Sequence, residues 1–118
     1  TGPEVLTGST RLKAATFQKA VLSSFSTAMM VGLGKTYSNL MVSMVATNEK
    51  LHSRSIRILM EGSGVSEETA IQILEASSGD LKLALTSAIS GESPESIAPV
   101  LKEAGGVVQK ALELINKK

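Results

Sequence analysis

Small hydroxyl and amide side chains stand beside cations at two places, Gly8-Ser9-Thr10-Arg11-Leu12-Lys13 and Thr47-Asn48-Glu49-Lys50-Leu51. Each string leads into a helix-like apolar pattern. Helix starts carry unpaired backbone N–H groups and the positive end of the macrodipole, and both favour an anion. Phosphate binding is therefore the chemistry open to Ser9, Thr10, Arg11 and Lys13 in the first string and to Asn48 and Lys50 in the second. Glu4 and Glu49 lie beside these strings, where a carboxylate can line a site or move a proton. Position alone also allows plainer roles. A serine or threonine ahead of a helix is most often a cap worth about 1 kcal/mol, a first-turn carboxylate complements the dipole, and lysine is exposed by default. His52 is the single histidine, has no identifiable serine partner and reads as a helix-surface residue. Without cysteine there is no disulfide and no thiolate metal site, and no cofactor is implied.

The elements that must position these strings are helices. Leu12, Ala15, Leu22, Phe25 and Met29 mark one stripe of a long helix from Leu12 to Leu33. Ala14, Phe17, Val21, Ala28 and Val31 flank it, which predicts burial on more than one side. Gly32 and Gly34 stop that helix, and Tyr37, Leu40, Met41, Met44 and Val45 predict a second one. Thr47 or Asn48 caps a third, with Leu51, Ser55, Ile58 and Leu59 inward and an end at Gly62-Ser63-Gly64. Shorter helices follow from Ser66 and Asp80 as caps. Ser93-Pro94 is a cap followed by proline at the first helical position, while Pro99 is expected to kink that helix or delay its start. Gly105-Gly106 precedes a last helix holding Val107, Val108, Ala111, Leu112 and Ile115. No run alternates for long enough to demand a strand, so the expected class is all-α.

Composition narrows the function. With 118 residues, 42% hydrophobic and only 3% aromatic, the chain supports a modest aliphatic core. Its formal charge of +1 implies no nucleic-acid partner. The most apolar window, Ala28 to Val45, is broken by Gly32, Gly34, Lys35, Ser38 and Asn39, so no membrane partner is expected. Absence of cysteine suits the cytoplasm, and the opening Thr1-Gly2-Pro3-Glu4 reads as loop within a longer protein rather than as a leader.

Gly2-Pro3-Glu4-Val5-Leu6-Thr7-Gly8-Ser9-Thr10-Arg11-Leu12-Lys13-Ala14 resembles the end of the sugar isomerase domain in bacterial N-acetylmuramic acid 6-phosphate etherases. Ser26-Thr27, Leu33-Gly34-Lys35, Asn39-Leu40-Met41-Val42 and Ala46-Thr47-Asn48-Glu49-Lys50-Leu51 continue the likeness in order and spacing. Past Glu61 it becomes a pattern similar to a ubiquitin-associated (UBA) domain. Gly62-Ser63-Gly64-Val65 stands where such domains carry a methionine-glycine-aromatic recognition loop, and it lacks that triplet, so ubiquitin-type binding is not expected. Residues 1–62 are thus expected to end a sugar isomerase domain, and 63–118 to form a UBA-like unit.

The resemblance implies a parent that removes the lactyl ether by elimination and then adds water, giving N-acetylglucosamine 6-phosphate and D-lactate in cell-wall sugar recycling. It implies a phosphosugar ligand and a homodimer. It makes Lys50, the lysine of the Thr-Asn-x-Lys-Leu string, a phosphosugar contact, with Asn48, Ser9, Thr10, Arg11, Lys13 and Glu4 around the ligand. The family's paired catalytic glutamates lie upstream of these motifs, so no residue here inherits either role and this piece alone is expected to be inactive. Animal glucokinase regulatory proteins resemble the same family and bind fructose phosphates without etherase activity, so a phosphosugar sensor is the alternative, and a helical interaction module a third. The sequence departs from the family's more frequent residues at Ala15, Phe17, Gly32 and Ser43.

Overall fold

The computed structural model describes residues 1–6, 8 and 11–117. The chain divides into two compact units, Thr1–Leu33 and Gly34–Lys118. The boundary expected at 62/63 falls inside the second.

The first unit is a loop followed by α1, Leu12–Gly32, closed by a hydrogen bond from the Leu33 N–H to the Met29 carbonyl at 2.9 Å. Thr16 and Thr27 turn their hydroxyls back to the carbonyls four residues earlier, at 3.0 and 2.9 Å, so they are satisfied without leaving the helix. The expectation of burial on several sides is not met. No residue of α1 is buried, and Phe17 and Phe25 remain 59% and 68% exposed, because the short loop of this unit is too small to cover a wide apolar arc.

The second unit opens with a correction. Residues predicted as a second helix form an antiparallel hairpin, β1 (Thr36–Tyr37) and β2 (Leu40–Met41), with Thr36 opposite Met41 and Tyr37 opposite Leu40. Ser38 at φ 51° makes the reversal, a left-handed conformation that ends any helix. Gly34 sets the entry, buried at φ +67°, where an added Cβ would lie 2.5 Å from Val107 Cγ2. The chain then runs without helix to Asn48, so no helix continues through Thr47-Asn48.

Five helices complete the unit: α2 Glu49–Ser63, α3 Glu67–Ala76, α4 Leu81–Ser90, α5 Pro94–Glu103 and α6 Val108–Asn116. Asn48, Ser66, Asp80 and Ser93 cap α2 to α5 by accepting from the backbone N–H three residues on. The helix α5 starts at Pro94 and runs through Pro99, so its start is not delayed. Pro99 lacks the donor that would reach the first-turn carbonyl of Glu95, and the packing of α5 on the core carries the helix through it. The hub is α4, which touches α2, α3, α5 and α6. Leu59, Leu74, Leu81, Leu85 and Val108 are fully buried around it, and Ile97, Leu101, Ala104 and Ala111 form a second cluster under α5 and α6. The fold is all-α with one short hairpin, and its core is aliphatic as the composition requires.

Candidate functional site

The first string meets a carboxylate of its own chain. Glu4 accepts from the Lys13 N–H through both oxygens, at 2.8 and 3.1 Å, and from the Ala14 N–H at 3.3 Å. Arg11 occupies the N-cap position of α1 with no side-chain cap bond, so Glu4 supplies the cap from nine residues upstream. The Lys13 ammonium donates to the Pro3 carbonyl at 2.8 Å and ties the loop to the helix. A carboxylate here is favoured by the dipole and by free N–H groups, the same features that favour phosphate. A phosphate entering this helix start has to displace Glu4. Ser9 and Thr10 lie outside the described residues, and Arg11 and Lys13 are exposed.

The second string is a regular helix start. Asn48 is extended, at φ −147° and ψ 168°, and its Oδ1 accepts from the Leu51 N–H at 2.9 Å while its carbonyl accepts from His52 at 2.9 Å. Glu49 and Lys50 follow in the first turn, both exposed. Glu49 suits the dipole; Lys50 opposes it, by a few tenths of a kcal/mol at an exposed site. Helix stability therefore gives no reason for a lysine at this position. On the inner side of α2, Ser55, Ile56, Ile58 and Leu59 are buried, so the turn bearing Asn48 and Lys50 is anchored to the core and does not float. Glu4, Arg11 and Lys13 belong to the first unit, and Asn48 and Lys50 to the second.

His52 is half-buried and enters the start of α2 through its backbone N–H, which donates to the Asn48 carbonyl. Among the described residues no group of three or more His, Cys, Asp or Glu side chains could hold a metal ion, and no helix is long and apolar enough to cross a membrane. Met44 and Met60 pack against the main core, as adaptable filling should, whereas Met29 and Met41 stay exposed.

A UBA-like domain model matches residues 59–88, the end of α2 with α3 and α4. N-acetylmuramic acid 6-phosphate etherase from Geobacillus sp. (strain WCH70) is 50% identical over 113 residues, 96% of this chain and 38% of the relative. The chain is related over nearly its whole length to the C-terminal part of N-acetylmuramic acid 6-phosphate etherases. The etherase from Cutibacterium acnes (strain DSM 16379 / KPA171202) is 50% identical over 112 residues, covering 95% of this chain and 37% of that protein. The etherase from Rhizobium rhizogenes (strain K84 / ATCC BAA-868) is 45% identical over 111 residues, covering 94% and 36%. The chain spans less than two fifths of the length of these etherase relatives. The UBA-like match begins inside α2 and leaves α5 and α6 outside it, so the second unit is larger than that domain.

One group of polar residues escaped the sequence reading. Ser43, from the strand that follows the hairpin, and Asp80 and Lys82, from the start of α4, line one small recess. Nothing in their spacing signals it, because the hairpin that brings them together was read as helix.

Proposed function

We propose that this chain is the C-terminal part of an etherase that cleaves the lactyl ether of N-acetylmuramic acid 6-phosphate, and that it contributes phosphosugar contacts rather than the acid and base of the reaction. The observation that carries this reading is 50% identity over 96% of the chain to a protein of that name, joined to an exposed Lys50 on a firmly capped first turn. In this reading Lys50 meets the phosphate and Asn48 holds the turn that presents it. The apolar face of α1 packs against the rest of the parent or its second copy, consistent with a homodimer, and the parent works in the cytoplasm as a carbon-oxygen lyase. Phe17, Leu22 and Phe25, all more than half exposed, are the residues such packing covers.

The test is D-lactate release from N-acetylmuramic acid 6-phosphate by the full-length parent, this 118-residue chain and the parent carrying Lys50→Ala. The parent releases lactate, the chain alone releases none, and Lys50→Ala loses about 10- to 100-fold in kcat/KM, the equivalent of one charge-assisted hydrogen bond. A parent that binds the sugar phosphate without releasing lactate is instead a non-catalytic phosphosugar sensor.

A further inference from the structure

The strap that leads into Asn48, residues 40–46, is fastened to the core at alternate positions. Leu40, Val42 and Met44 pack into the main cluster, whereas Met41 and Val45 are exposed, the two-residue period of a strand laid on a surface. Leu40 lies over Gly62 of α2, where a Cβ would stand 3.3 Å from Leu40 Cδ1. The last grip falls on the turn between α3 and α4. Val45 pairs with Asp80 in an isolated antiparallel bridge, and a Cβ on Gly79 would lie 3.9 Å from both the N and the O of Ala46.

That turn is held by its own bonds. The Ser77, Gly79 and Asp80 N–H groups donate to the carbonyls of Ile73, Leu74 and Ser77 at 2.9, 2.9 and 3.0 Å, and Asp80 Oδ1 accepts from the Leu83 N–H at 3.1 Å. Ser78 and Gly79 are both left-handed, at φ 53° and 79°. The turn also belongs to the UBA-like stretch, residues 59–88. From Ala46 the chain reaches Lys50 in four residue steps, at most about 14 Å. Within that span Asn48 closes the first turn of α2 onto the Leu51 and His52 N–H groups. Lys50 stands more than one turn ahead of Ser55, the first buried residue of α2. The core therefore reaches it from two sides, through the helix and through the strap, and a helix end held on one side only is free to fray.

We infer that the UBA-like stretch is the scaffold that positions Lys50, with the α3–α4 turn at Gly79 and Asp80 as the contact that sets its place. Gly79 and Asp80 are positioning residues that act through Lys50, and the inference rests on the reading of Lys50 as a phosphosugar contact. The test is the Kd of the full-length parent for N-acetylglucosamine 6-phosphate, measured by calorimetry on a matched pair of glycine variants. Gly79→Val and Gly91→Val impose valine on nearly the same left-handed backbone, φ +79° and +75°, but only Gly79 adjoins the strap, since nothing lies within 4 Å of a Cβ at Gly91. Gly79→Val is expected to weaken binding about tenfold, the worth of a charge-assisted contact, and Gly91→Val to leave it unchanged. Added to Lys50→Ala, which itself weakens binding, Gly79→Val has no further effect, a non-additivity that general loss of stability does not produce. Should Gly79→Val fail to fold, a Gly-Gly insertion between Ala46 and Thr47, which slackens only the link from grip to cap, is expected to weaken binding to the same extent. No binding by the parent, or an unchanged Kd in Lys50→Ala, overturns the reading of Lys50 and this inference with it. A weakened Lys50→Ala beside equal Kd values for the Gly79→Val, Gly91→Val and insertion variants overturns the scaffold alone, and so does a Gly79→Val effect that adds in full to that of Lys50→Ala.

Discussion

Single residues at the two helix starts behave differently, and the difference is physical. Asn48 is a cap whose role was legible because the donor it serves lies three residues ahead. Asn48→Ala should lower stability by about 1 kcal/mol, read from chemical denaturation of the 118-residue chain. Glu4 was legible only as a residue near the site. Its capping role depends on a loop fold that no local spacing encodes, since it reaches the Lys13 and Ala14 amides from nine and ten residues away. Glu4→Ala should therefore speed hydrogen exchange at Lys13 and Ala14 while leaving the α2 amides unchanged. The same comparison shows why Lys50 was a candidate from its string and not from its surroundings: an exposed cation in a first turn has no structural partner to betray it.

Helices α2 to α6 were legible from caps, glycines and apolar spacing, because each lies on a core that rewards one face. The segment 35–45 was misread for a definite reason. Tyr37, Leu40, Met41 and Met44 recur at helical intervals, yet three-residue and four-residue steps also arise when two short strands reverse at Ser38 and Asn39. The deciding signals are Gly34 and Ser38 with positive φ, and a lone serine does not announce that geometry. Gly34 is also where the hairpin meets the turn before α6. Gly34→Ala should cost about 2–3 kcal/mol, combining a left-handed alanine with overpacking against Val107, and should appear as a lower denaturation midpoint with unchanged slope.

At the scale of the molecule, the buried side chains among the described residues all lie in Gly34–Lys118, and α1 contributes none. A chain comprising residues 34–118 should therefore melt cooperatively, close to the temperature of the 118-residue chain. A peptide of residues 1–33 should show little helix by circular dichroism, because one helix without a packed face is marginal in water. The second unit also carries a pH signature. Burial and Lys35 hold the Lys82 pKa below the ordinary 10.5 of lysine. At neutral pH Lys82 is protonated whether folded or unfolded, so the unfavourable burial is fully present. As pH rises through the folded pKa toward 10.5, the folded chain sheds the proton first and gains stability. Denaturation at a series of alkaline pH values should show that gain relative to Lys82→Met, which lacks the titrating group. The contact between Gly34 and Val107 has one more effect, on the order of events during synthesis. It joins the first turn of the second unit to the start of its last helix, a pairing of high contact order. On the ribosome the strap that leads to Asn48 and Lys50 can therefore close onto its partner only after the start of α6 has emerged.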